Sequence, residues 1–274
     1  MEKYQILKIL SNNVVLVEKH SKDYILVGKG IGFGKKKGQS INNTQAIENA
    51  FISLEAVDSG ELNDIISNVD PKIIELTQKI VSMVANETNK ELNPHFHLGL
   101  IDHINFAIKR LKEGIEIVNP FLSETKLLYP MEYDLAKRSV KLLKENLNID
   151  IPEAEIGFIA FHIYGANNKS KNDALENSKI INKIIHFVEI KLNLNLDENS
   201  LDYTRFVTHL RGILDRSKKK YIENIFLKQI KKDIIYEYKI AYDISEIIKK
   251  DLNIKITEDE IGFIAIHLYK LNNS

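Results

Sequence analysis

The sequence predicts a multidomain chain: a small antiparallel β domain at the N-terminus, then two homologous all-α helical-bundle domains. A repeat is the first reason. Glu155–Tyr164 returns as Glu260–Tyr269, 105 residues later, with eight of ten positions identical. Leu147-Asn148-Ile149, Glu132-Tyr133 and Ala136 have counterparts at the same offset. That offset exceeds the roughly 20–50 residues of a solenoid repeat and suits a domain. Period is the second reason: Ile156, Ile159, Ala160 and Ile163 recur at helical spacing in a stretch opened by Pro152, and Thr257-x-x-Glu260 has the form of a capping box. Texture is the third, because residues 1 to about 55 carry short β-rich runs parted by turn residues instead.

In order, Tyr4–Leu10, Val14–Glu18, Tyr24–Val27 and Phe51–Leu54 are the expected strands. Asn12-Asn13, the His20–Asp23 turn and the glycine-rich stretch Gly28–Gly38 separate them. A sheet this small buries little of its surface and gains from pairing with a second copy, so a homodimer is expected. Residues 1–55 hold eight Lys against five acids, and Lys29, Lys35, Lys36 and Lys37 lie in a stretch without an acid. With Phe33 among them the loop suits RNA, lysines taking phosphates and the ring stacking on an unpaired base. A solvated hairpin fits the same residues. A P-loop is excluded because Lys29 stands five before Gly34, and a dinucleotide fingerprint because Phe33 or Lys35 falls where its third glycine belongs.

Ala56–Gly60 reads as a linker, and Asp70-Pro71 as an N-cap with proline at the first helical position. Helices are expected from Pro71 and over about 98–113, 131–147 and 152–165. After a polar linker at Asn167–Asp173, they are expected over 178–192, 200–216, 219–231, 236–250 and 257–271. The domains are bounded at 1–57, 61–167 and 175–274.

Histidine is the polar residue that interrupts the repeated apolar helix in both copies. Each repeat also carries a second one: His103 and His162 are 59 apart, His209 and His267 are 58 apart. A histidine on an apolar helix is ordinarily a hydrogen-bonded core residue. Four of eight histidines obeying the duplication favours shared chemistry. His95 and His97 with Asp102 and His103 lack the spacing of a hydrolase metal motif and have no counterpart in the second repeat, so no metal site is expected.

The 274 residues carry 38 basic and 38 acidic side chains and no cysteine. Neutrality leaves any nucleic-acid binding to local charge, and lack of cysteine excludes thiol chemistry and fits a reducing, cytoplasmic setting. Neither a signal peptide nor a membrane span is expected. Catalytic residues and a cofactor are not expected either.

The segments Ile9–Val15 and Val27–Lys36 resemble the RNA-binding co-antiterminator domain of the BglG/SacY family of bacterial transcriptional antiterminators. Asp102–Arg110, Asn119–Leu122, Leu128–Tyr133 and the two Ile-Gly-Phe-Ile-Ala helices are similar to that family's paired phosphotransferase-system (PTS) regulation domains. Leu92–His97 and the glycine–lysine loop are closest to its glucose branch. The resemblance implies RNA contacts at Asn13, Gly28, Lys29, Phe33 and Lys8, and phosphorylation at His103, His162, His209 and His267. It also implies a leader-mRNA hairpin as ligand, with a PTS sugar permease (glucose) and the phosphocarrier HPr as phosphoryl donors. On this reading the dephosphorylated homodimer binds the hairpin and prevents the terminator from forming. The alternatives are a β-glucoside or sucrose operon, or a DNA-binding regulator with the same sensing modules. The last would need an N-terminal helix-turn-helix where this chain has β-rich runs.

Overall fold

The computed structural model describes residues 3–20, 22–41, 49–51, 68–89, 92, 94–166, 171–215 and 223–273. Strands β1 (Tyr4–Ile9), β2 (Val14–Lys19), β3 (Lys22–Val27), β4 (Ser40–Ile41) and β5 (Asn49–Phe51) form one antiparallel sheet in the order β4-β1-β2-β3-β5. Alternation puts Tyr4, Ile6, Val15, Val17 and Leu26 on one face, where they pack with Ile31 and Ile41. All four residues Val14–Val17 are buried, because β2 also approaches the first helix. A bulge between Ile6 and Lys8 interrupts the β1–β2 register, and bulges of this kind re-aim the side chains beside them.

Ten helices follow among the described residues: α1 (Pro71–Thr88), α2 (Pro94–Lys112), α3 (Leu122–Leu128), α4 (Pro130–Leu147), α5 (Ala154–Gly165), α6 (Lys171–Leu192), α7 (Leu201–Asp215), α8 (Leu227–Asp233), α9 (Ile235–Leu252) and α10 (Glu258–Asn272). The small β domain and helical bundles expected from sequence are therefore both present. Asp70 caps α1 as expected, its carboxylate accepting from the Lys72 N–H at 2.8 Å.

Some expectations are corrected. The polar stretch ending at Asp173 is helical from Lys171, so α6 begins seven residues before the expected start. The helix expected over 219–231 is α8, which starts only at Leu227; positions 219–222 lie outside the described residues, as do Ala56–Gly60 and Ile52–Leu54. Strand β4 and helix α3 were not expected at all.

Two compact units divide the chain. The first is Met1–Asn119 with Met131–Lys171, and the second is Pro120–Pro130 with Asn172–Ser274. The segment containing α3 thus groups with the second repeat. Within the first unit α2 packs on α1 and α5; within the second, α10 packs on α7, α8 and α9. No described helix is long and apolar enough to cross a membrane.

Candidate functional site

Asn13 organises the candidate RNA face. It sits in the β1–β2 turn, where its carbonyl accepts the Gly28 N–H at 3.0 Å and its side-chain Oδ1 accepts the Gly30 N–H at 2.9 Å. Two glycines are needed for the loop to close. Gly30 has φ +70°, and a Cβ on Gly32 would stand 2.5 Å from the Ser11 carbonyl oxygen. Pinned at both ends, the loop leaves Lys29 exposed and Phe33 73% exposed, although an aromatic ring of that size is usually buried. Gly28 is buried and contributes backbone, while Lys8, beside the bulge, is exposed. Asn13, Gly28 and Lys29 line one cleft of about 250 Å³ together with Val27, Glu75 and Lys79. Phe33 and Lys8 do not line it.

Glu75 comes from α1. Its Oε2 accepts from Asn13 Nδ2 at 3.2 Å, and its Oε1 lies 3.1 Å from Lys79 Nζ and 3.7 Å from Lys72 Nζ. Burial pushes this carboxyl up, but the hydrogen bonds from Asn13 and Lys79 and the charges of Lys72 and Lys79 outweigh it and hold it below the usual carboxylate range. An ionised carboxylate therefore stands against the side chain that shapes the glycine loop. Glu75 carries no mark of its own in the sequence, because nothing in a helical pattern tells which acid will meet a loop 62 residues away.

The histidines come together in pairs, one per unit. In the first, the rings of His103 on α2 and His162 on α5 are 4.7 Å apart. In the second, those of His209 on α7 and His267 on α10 are 4.9 Å apart. His162 is buried at 7% exposure, whereas the His103 side chain is 19% exposed. Burial first, then the neighbouring His209, with Lys270 and Arg205 adding to it against Asp202, pushes the His267 imidazole down to about 4, so it is neutral at pH 7.

A carboxylate joins each pair. Glu155 Oε2 lies 2.9 Å from His103 Nε2, and Glu260 Oε2 lies 3.0 Å from His209 Nε2. Phe158 and Phe263, one turn further along their helices, flank the same rings at 6.2 and 6.3 Å. The threonine half of the expected capping box forms. Thr257 Oγ1 accepts the Glu260 N–H at 3.3 Å, but the glutamate side chain is engaged by His209. Asn119 and Asn224, also 105 residues apart, support these helices by donating to the Ala154 and Asp259 carbonyls at 3.3 and 3.4 Å. Both glutamates and both asparagines keep the repeat offset, which is the signal that would have found them.

A loop of lysines and glycines on a small sheet, joined to repeats that each set a histidine pair against a carboxylate, fits a nucleic-acid-binding regulator with sensing modules. Comparison with known proteins gives the particular kind. Residues 4–58 match the CAT RNA binding domain, and residues 59–166 and 182–271 each match the PRD domain, so the chain belongs to the CAT/PRD family of PTS-regulated antiterminators, RNA-binding regulators that are not enzymes. It is 34% identical over 279 residues to Protein GlcT of Staphylococcus haemolyticus, covering 100% of this chain and 98% of that one. Protein GlcT of Staphylococcus aureus (strain Newman) is 32% identical over 274 residues, covering 98% and 97%. Among solved structures, the crystal structure of GlcT CAT-PRDI superposes with a TM-score of 0.53 at 38% identity, over 61% of this chain and 99% of that one.

Proposed function

We propose that this protein binds a leader-mRNA hairpin through Asn13, Gly28, Lys29, Phe33 and Lys8 and so prevents the overlapping terminator from forming, in a glucose PTS operon. Relatives of matching length that carry the name GlcT support the glucose reading. Phosphorylation at His103, His162, His209 and His267 by a glucose permease and by HPr controls dimerisation, and dimerisation joins two β faces into one RNA-binding surface. The domains act as units at 1–57, 61–167 and 175–274. A phosphoryl group adds about two negative charges. Placed in a histidine cluster beside a carboxylate, such charge forces repacking of the helices that hold it.

The observation that carries this reading is the contact between Asn13 and Glu75. Helix α1, which bears Glu75, packs on α2, which bears His103. Repacking at His103 is thereby connected to the residue that shapes the RNA loop. A carboxylate at that place opposes phosphate, so RNA binds best when Glu75 is withdrawn or neutral. Glu75→Gln keeps an acceptor for Asn13 and is expected to tighten hairpin binding roughly 2- to 10-fold at low salt. Filter binding measures it, with duplex DNA as control; equal affinity for hairpin and duplex would remove the RNA reading, and weaker hairpin binding would remove the role of Glu75. Incubation with phosphoenolpyruvate, the general phosphotransferase proteins and a purified permease domain, followed by mass mapping, tests the four histidines.

A further inference from the structure

The two glutamates that face the histidines do the same thing in both units, although one helix starts behind Pro152 and the other behind a threonine cap. Each meets Nε2 of its histidine, at 2.9 and 3.0 Å, from a side chain itself 4% or 14% exposed. An ionised carboxylate only accepts hydrogen bonds, so the ring nitrogen facing it carries the hydrogen. In a neutral imidazole the lone pair then resides on the other nitrogen, Nδ1.

We propose that Glu155 and Glu260 are positioning residues that hold His103 and His209 as the Nε2–H tautomer and so direct phosphoryl transfer to Nδ1. This rests on the reading of these histidines as phosphoryl acceptors. The Nδ1 lone pair forms the new N–P bond while the donor's N–P bond breaks. The donor ring, protonated on its other nitrogen, keeps that proton and leaves as neutral imidazole. The acceptor's proton stays on Nε2, so the new ring is an imidazolium whose positive charge develops directly against the glutamate. The hydrogen bond between them strengthens as transfer proceeds, so the carboxylate stabilises the transition state more than the resting ring. A hydrogen bond to a charged partner of this kind corresponds to roughly 10- to 100-fold in rate.

The test uses the full chain, labelled from phosphoenolpyruvate through the phosphotransferase proteins and, in parallel, by phosphoramidate, a small N–P donor that needs no docking surface. Peptides containing His103 and His209 are resolved under alkaline conditions into the Nδ1 and Nε2 phosphohistidine isomers. The expected result is the Nδ1 isomer at both positions. Glu155→Gln, of the same shape but able to donate or accept, is expected to label His103 roughly 10- to 100-fold more slowly and as a mixture of isomers, with thermal unfolding unchanged. The Nε2 isomer in the unaltered protein overturns the proposal while leaving the acceptor reading intact, as does an unchanged rate and isomer in Glu155→Gln. Absence of label at both histidines from either donor overturns the acceptor reading itself, and this proposal with it. If Glu155→Gln unfolds, Glu260→Gln at His209 and the isomer found in the unaltered chain decide the matter.

Discussion

Helices α3 and α8 occupy the same place in the two sequence repeats, starting 105 residues apart at Leu122 and Leu227, yet they pack differently. Helix α8 lies on α9 and α10 of its own repeat, and Lys231 pairs with Glu258 at 2.8 Å. Helix α3 groups instead with the second unit and lies on α7. Asn182 donates to the Glu124 carboxylate at 3.0 Å, Arg211 donates to the Leu128 carbonyl, and the Arg211 guanidinium sits 5.0 Å over the Tyr129 ring. The residues at matched positions explain the difference. Leu128 and Tyr129 are buried at 1% exposure, whereas their counterparts are Asp233, in water, and Ile234, half-buried. Duplication copied the chain, but the apolar end of α3 settles where it can be covered, and the charged end of α8 has no reason to follow. The histidine–glutamate contact is the same in both units because α2 on α5 and α7 on α10 are retained.

The largest effect should come from cutting into that apolar end. Leu128→Ala is expected to destabilise the second unit by roughly 2–5 kcal/mol, since the side chain is fully enclosed. Asp233→Ala at the matching position should stay within about 0.5 kcal/mol. Urea unfolding of the two variants measures the contrast, and equal losses would mean that α3 and α8 are packed alike after all.

A smaller effect tests the attachment of α8 to its own repeat. A Cβ on Gly262 would stand 2.7 Å from Asn224 Nδ2 and 2.9 Å from Leu227 Cδ1, so α10 comes this close to the start of α8 only because the side chain is absent. Gly262→Ala pushes the Asn224 amide off the Asp259 carbonyl and should cost about 1–3 kcal/mol. A variant as stable as the parent would show that α8 is held more loosely than its hydrogen bonds suggest.

Much of this architecture was legible because it repeats or runs long. The strands came from β-rich runs set between turn residues, α1 from Asp70 and Pro71, and the histidine helices from their echo. What escaped was short or shared its signal with something else. Helix α3 has seven residues, too few for a helical period to emerge, and β4 has two. Asn, Lys and Asp at 171–173 read as a linker, yet Asn and Asp are also residue types favoured where helices start. Glu260 read as a cap because a sequence offers only the local partner, while the histidine it meets is 51 residues away. The candidate RNA face divides likewise. Its glycines and lysines stood out in the sequence, but Glu75 did not, since that contact exists only once a helix has been laid beside the sheet.

The smallest effect is the most direct probe of why α3 moved. Glu124 is buried at 3% exposure, and its counterpart in α8 is Gln229, exposed to water. Burial pushes the Glu124 carboxyl up, and only in part does the hydrogen bond from Asn182 offset it. A carboxyl whose folded pKa is raised binds its proton more tightly when folded, so its contribution is most favourable in acid and is lost as pH rises from the ordinary carboxylate value through the raised one. Above the ordinary carboxylate value, ionising this buried carboxyl therefore costs stability. Glu124→Gln installs the residue that α8 already has, keeps an acceptor for Asn182, and removes the charge. It should raise stability at pH 7, with the gain shrinking as pH falls through the ordinary carboxylate value, well below which the parent carboxyl is protonated in both states. Thermal unfolding of parent and variant from pH 4 to 8 measures this. If the variant is instead less stable at pH 7, the charge itself anchors α3 to Asn182, and the apolar residues Leu128 and Tyr129 are not the main cause of its departure.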